Sequence, residues 1–216
     1  KKHLFEFPII SALQTKMIDQ LYISTDCPVI KKVSSKYNPI IIERPKKIQN
    51  PNTLTEDVLH HAHKHIIKNE GGIKNIEFYI LLYANGAFVN TSLLKKGITL
   101  LKKNKKFDSC VGLINADMFT PIRAKIVNKN KEIKPFINLK YFKNITSNRD
   151  SAGSAYFMDL SLQIIRPYCF EKMNGNQKPF LWLGNKILPL KKEFGGDIDA
   201  NWQFTLLQDW LAKNFK

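Results

Sequence analysis

The sequence predicts an α/β fold, a three-layer sandwich built on a mostly parallel sheet. Three observations carry that prediction. Short, continuously apolar runs (Leu21-Tyr22-Ile23, Ile40-Ile41-Ile42, Phe78-Tyr79-Ile80-Leu81-Leu82) read as strands buried on both faces, the habit of parallel sheets covered by helices. Segments with helical apolar spacing alternate with them, which is the pattern of an α/β sandwich. The chain has 216 residues, 44% of them hydrophobic, enough to bury a substantial core as one domain over 1–216.

Pro8 suits a first helical turn, and Ile9, Ile10, Leu13 and Met17 follow at helical spacing. A strand over 20–24 ends in Thr25-Asp26, a helix covers 28–36, and a second strand covers 39–42. Thr55 and Glu56 open a helix that runs to Ile67 and closes at Gly71-Gly72, glycines being common just past helix ends. The run 78–82 is expected to be the most central strand, followed by a turn, a helix over 91–103 and a strand over 109–114. The segments 124–127 and 133–137, joined by Asn128-Lys129-Asn130-Lys131, form a hairpin within an inserted lobe at about 120–152. A strand over 153–158, a short helix over 160–166 and extended pieces at 180–183 and 187–190 follow. The last helix, 201–214, sets Trp202, Leu206, Leu207, Trp210 and Leu211 on one broad face. The chain opens with a helix before its first strand and starts on Lys1. We therefore expect a strand and a phosphate-facing loop upstream of these residues.

In parallel sheets ligands lie beyond the carboxyl ends of the strands. Thr25-Asp26, Arg44, Tyr83–Asn85 and Asp197 stand at such ends. Asp197 and Asp199 flank Ile198, so at the end of a strand both would point to one side. A separation of about 6.5–7 Å follows from strand rise, and at an effective dielectric near 20 the two charges repel by about 2.4 kcal/mol. The chain has 18 acidic residues against 34 basic ones, so a paired acid site calls for compensation. A divalent cation with oxygen ligands, Mg²⁺ shared with a phosphate, supplies it. In the plainer reading, Asp199 caps the last helix and Asp197 is a solvated loop acid. Ser24-Thr25-Asp26 either helps bind nucleotide or is an ordinary strand-to-helix turn with Asp26 as its cap. Arg44, extended before Pro45, suits a triphosphate or a surface ion pair. Tyr83 and Asn85 either contact a base or sugar or form an ordinary turn. His60, His61, His63 and His65 lack the glutamate of a zincin, and read as a solvated or partly packed helix face.

Bulk properties narrow the partners. The formal charge is +16, but only Arg44, Arg123, Arg149 and Arg166 are arginines. Base-edge readers rely on arginine forks, so specific nucleic-acid recognition is disfavoured, while a positive field that gathers polyphosphates fits. Cys27, Cys110 and Cys169 are widely spaced and odd in number. They read as free thiols of a reducing, cytoplasmic protein. No apolar run is long enough to span a membrane.

Taken together, these stretches resemble the CMP-N-acylneuraminate (sialic acid) synthetases, cytidylyltransferases that activate acidic sugars. Leu21-Tyr22-Ile23-Ser24-Thr25-Asp26, Glu43-Arg44-Pro45, Ala152-Gly153-Ser154-Ala155-Tyr156-Phe157 and Gly196-Asp197-Ile198-Asp199 carry the resemblance, in the family's order. It implies a Rossmann-like nucleotidyltransferase in which the 120–152 lobe makes a homodimer. Mg²⁺ would sit on Asp197 and Asp199, Arg44 would meet the nucleotide, and CMP would pass from CTP to an acidic 2-keto sugar with release of pyrophosphate. Tyr83 and Asn85 would line the base or sugar pocket, and Arg149 would meet the sugar carboxylate. The departures are Tyr83 in place of a ligand-binding glutamine, Ala152 in place of an asparagine, and Asn201-Trp202-Gln203 in place of a second acidic site. The family's glycine-rich CTP loop has no counterpart in these residues. The alternative these departures leave is a relative that binds nucleotide or sugar without turnover.

Overall fold

Strand–helix alternation is what the chain builds. The structure is a computed structural model that describes residues 2–148, 151 and 153–214. The helices are α1 (Glu6–Leu13), α2 (Pro28–Ser34), α3 (Thr55–Asn69), α4 (Thr91–Lys103) and α5 (Gln203–Asn214). The strands are β1 (Tyr22–Thr25), β2 (Ile40–Glu43), β3 (Tyr79–Leu81), β4 (Ser109–Asn115), β5 (Lys125–Val127), β6 (Ile133–Pro135), β7 (Tyr156–Ile165) and β8 (Ile187–Lys192). β1 and β2 pair in parallel, and a four-stranded sheet has the order β3-β7-β4-β8. In it β4 and β8 are parallel, and β7 runs antiparallel to both β3 and β4.

One apolar layer joins α4 to the sheet, with Leu94, Ile98 and Leu101 packed on Cys110, Leu162, Ile164 and Leu190. A second lies on the opposite face. There Leu59 of α3 and the short turns around Phe170 and Trp182 cover Val111 and Ile165. The α/β sandwich expected from the sequence is therefore present, but its strand pairing is mixed rather than mostly parallel, because β7 enters antiparallel between β3 and β4. Asn90 caps α4 by accepting from the Leu93 N–H at 2.9 Å, satisfying a donor that a helix start leaves free.

Several expectations need correction. Residues 160–166 are not a helix, because β7 runs through them. Leu162 and Ile164 serve one apolar layer and Ile165 the other, the two-sided alternation of a strand. The buried polar side chain among them is satisfied: Gln163 accepts from Trp182 Nε1 at 2.7 Å and donates to Leu160 O. β3 is not central. It is a three-residue strand paired, among the described residues, with β7 alone. β1 and β2 are mostly half-buried, only Thr25 and Ile42 being buried, because each has a single strand neighbour among the described residues. Residues 181–183 form a 3₁₀ turn. α1 stops at Leu13, leaving Met17 exposed. On α5 the buried stripe is narrower than expected. Leu207 is buried with Trp210 and Leu211 beside it, while Trp202 and Leu206 are exposed.

The three cysteines are free, and burial pushes the Cys110 and Cys169 thiols up to about 11 and about 12. No described helix is long and apolar enough to cross a membrane. β5 and β6 form the expected antiparallel hairpin, whose Ile126, Val127 and Ile133 are exposed, as are Phe119, Phe136 and Tyr141 around it.

Glu6 ties α1 to the segment after α2. Its buried carboxylate accepts from Tyr37 at 2.7 Å and from the His3 N–H, and pairs with Lys36 at 2.5 Å. Burial alone would raise its pKa; the hydrogen bonds from Lys36, Tyr37 and His3 outweigh it and bring the group to about 2. A folded value below the unfolded one stabilises the protein above the unfolded pKa, about 4.3, and that contribution fades as pH falls toward 2. Thermal melts between pH 6 and about pH 2 are expected to fall more steeply for the parent than for Glu6→Gln.

Candidate active site

The site forms where the loop after β8 meets the turn after β3. β8 ends at Lys192, so Asp197 and Asp199 lie not on the strand, as expected, but on the loop beyond it. Gly195-Gly196 makes the turn, with Gly196 at φ +122°, a backbone region that favours glycine. Ile198 then buries itself against Ala87, Phe88 and Leu207, and its N–H donates to Asn85 O at 3.1 Å. This one buried residue with an acid on either side is what holds the two aspartates beside the Tyr83–Gly86 turn.

Asn85 Nδ2 donates to Asp199 Oδ1 at 2.9 Å. The Asp199 carboxylate is thus bonded to the turn, and Gln203 does the capping. Gln203 Oε1 accepts from the Asp199 and Ala200 N–H groups at 2.7 and 2.6 Å, and its Nε2 donates to Asp197 O. A glutamine reaching back over a helix start is half of a capping box.

Asp197 is half-buried, and its Oδ1 is a buried oxygen with no hydrogen-bond partner. Burial pushes its carboxyl above the usual range, the charges of Asp159 and Asp199 push the same way, and Lys192 opposes them. A buried acceptor without a donor costs about 1–3 kcal/mol, and an oxygen-seeking cation would relieve it. Among the described residues no group of three or more His, Cys, Asp or Glu could hold a metal. The seat therefore offers two carboxylates, and further oxygens would come from water and phosphate, the usual way Mg²⁺ is held. The residues fit Mg²⁺ in that sense. Asp197→Asn should raise the melting temperature of the metal-free protein, since it removes a charge that burial and the neighbouring carboxylates disfavour. The same variant should lose any rise in Tm that Mg²⁺ gives the parent.

Tyr83 stands within the field of Asp197 and is hydrogen-bonded with Gln163; burial first, then Asp197 and Glu56, push its phenol up to about 12. Tyr83, Asn85, Asp197 and Asp199 are thus brought together. Arg44 has other neighbours. Its Nε donates to Ser24 Oγ at 3.1 Å, its Nη2 to Ser24 O at 2.8 Å, and its Nη1 lies 3.7 Å from Asp26. Asp26 is accordingly an ion-pair partner rather than a cap, and Thr25 Oγ1 accepts the Cys27 N–H instead. Arg149 lies outside the described residues, as does Ala152.

Of the histidines, His63 is packed as a partly buried face would have it, 2.9 Å from Tyr79 OH and stacked on Phe170. His61 belongs to the same predicted helix face. Its Nδ1 is buried without a hydrogen-bond partner, and its pKa is lowered by burial, by His65 and by Arg44. Two residues escaped the sequence reading, Asp159 and Lys192, a buried ion pair under the aspartate loop. A charge at the centre of the apolar run 156–165 was the available signal.

No family model matches the chain, and no curated protein matches it in sequence. Solved structures do match in shape. A structure of CMP:2-keto-3-deoxy-manno-octonic acid synthetase complexed with CTP aligns at TM-score 0.63 and 11% identity, over 97% of this chain and 88% of that one. A structure of 4-diphosphocytidyl-2C-methyl-D-erythritol synthase aligns at TM-score 0.63 and 9% identity, over 98% and 91%. At these identities the likeness concerns the fold, and the chain has the α/β fold that these two synthetases share.

Proposed function

We propose that the chain is a cytidylyltransferase that moves CMP from CTP to an acidic 2-keto sugar of the sialic acid type and releases pyrophosphate. The observation that carries this reading is the unpaired, buried Oδ1 of Asp197 beside Asp199, on a fold also found in a synthetase solved with CTP. In this reaction the sugar hydroxyl attacks the α-phosphorus, the bond to the β-phosphate oxygen breaks, and pyrophosphate leaves. Mg²⁺ on Asp197 and Asp199 would supply neutralisation of charge on the phosphates. Asn85, bonded to Asp199, fixes the carboxylate's direction. Tyr83, a neutral phenol at pH 7, offers a donor to the base or sugar. Arg44 meets the triphosphate, and Arg149 the sugar carboxylate. Catalysis then rests on alignment, with the acceptor hydroxyl itself as nucleophile. The exposed apolar side chains of the hairpin lobe support a homodimer built through it, since a large exposed apolar patch marks an interaction surface. The thiols and the absence of a described spanning helix are compatible with a cytoplasmic enzyme.

One observation favours the rival reading, a binder without turnover: Arg44 is already engaged by Ser24 and Asp26. Pyrophosphate release from CTP with Mg²⁺, across a panel of acidic 2-keto sugars, separates the two. Release with at least one sugar is expected. CTP binding with no release from any sugar would overturn the enzyme reading.

A further inference from the structure

Asp159 of β7 and Lys192 at the end of β8 are buried together, 1% and 8% exposed. The Lys192 ammonium donates to the Asp159 carboxylate, to Ser161 Oγ at 3.0 Å and to Phe88 O at 2.6 Å. Asp159 Oδ1 accepts from the Ser161 and Gly196 N–H groups, each at 3.1 Å, and its Oδ2 accepts from Ser161 Oγ at 2.8 Å. The contact is close on both sides. A Cβ at Gly112 would lie 2.8 Å from Asp159 O, and one at Gly195 would fall on the Asp159 carboxylate.

A buried ion pair is not in general more stabilising than an apolar pair of the same size, so what this one joins is informative. Phe88 follows the turn that carries Asn85, and Gly196 immediately precedes Asp197. Those same two segments meet again through the Ile198 N–H to Asn85 O and through Asn85 to Asp199. Lys192 holds one segment by its carbonyl, Asp159 holds the other by its amide, and the ion pair closes the bracket between them.

We propose that the Asp159–Lys192 pair is a positioning element for the Asp197–Asp199 seat. It fixes the glycine turn against the Asn85 turn, so that both carboxylates face one divalent cation before any nucleotide arrives. This rests on the reading of Asp197 and Asp199 as metal ligands. The amide tether to Gly196, rather than the charge of the pair, is the working part.

Two uncharged double variants separate tether from charge. Asp159→Asn with Lys192→Met keeps an Oδ1 for the Ser161 and Gly196 amides. Asp159→Leu with Lys192→Met removes it. Mn²⁺ binding, followed by electron paramagnetic resonance without nucleotide, should stay within about threefold of the parent in the first and weaken tenfold or more in the second. Gly195→Ala, whose Cβ would fall on the Asp159 carboxylate and push it and the turn apart, keeps both charged residues and should weaken Mn²⁺ to a similar extent with the far-UV circular dichroism unchanged. Equal Mn²⁺ affinity in the two double variants would overturn the proposal. If the leucine variant does not fold, Gly195→Ala decides alone, and parental affinity there overturns it. Asp197→Asn is the control for the underlying reading. If it binds Mn²⁺ like the parent, the seat itself is misassigned, whereas a loss confined to Asp197→Asn leaves the seat standing and removes only the positioning role.

Discussion

Lys192→Met alone is expected to destabilise the protein by about 3–5 kcal/mol, the cost of leaving one partner of a buried pair uncompensated. For a domain of this size that is a fall in Tm of roughly 10 °C. The stranded group would be Asp159, buried and surrounded by the Ser161 and Gly196 amides, with Asp197 adding a second negative charge nearby. Pairing the change with Asp159→Asn should recover most of the loss, because the neutral amide keeps the acceptor and needs no counter-charge. Thermal melts of the two variants check this. A Lys192→Met protein that melts like the parent would mean that the ammonium does no more than fill space.

The second large effect concerns chemistry rather than stability. Asp199→Asn should lower CMP transfer by about 10²–10³-fold, the usual loss when one group stabilising transition-state charge is removed. Its Tm should stay within a few degrees of the parent. Asp199 is exposed, and an asparagine there still offers Oδ1 to Asn85. Steady-state pyrophosphate release and a melt of the same preparation are the two readings. Unchanged release would remove Asp199 from the reaction.

What the sequence could and could not reveal follows from where the information sits. The strands 39–42 and 109–114 and the helix 91–103 were legible because local apolar spacing and the Asn90 cap agree with their tertiary setting. The 160–166 segment was not. Leu160, Leu162, Ile164 and Ile165 suit a helical face as well as an alternating strand, and only pairing with β3 and β4 decides between them. The centrality of 78–82 was misjudged for a related reason: hydrophobicity reports burial, whereas strand order is a property of the whole sheet. At the site, Asp197 and Asp199 were legible as a pair of acids in a basic chain. Their position on a loop held by Ile198 and capped by Gln203 depends on partners at residues 85 and 203 that no local pattern announces. The Asp159–Lys192 pair is 33 residues apart in sequence and becomes a feature only when β7 and β8 flank β4.

The most direct test of the central claim, that Asp197 and Asp199 hold a divalent cation shared with CTP, is Mn²⁺ binding with and without CTP to the parent protein and to Asp199→Asn. Mn²⁺ should bind the parent at least tenfold more tightly when CTP is present, and CTP should in turn bind more tightly with Mn²⁺, since such coupling is reciprocal. Asp199→Asn should lose most of that coupling. CTP that binds the parent equally well in excess chelator, with Mn²⁺ affinity the same in both proteins, would contradict the account.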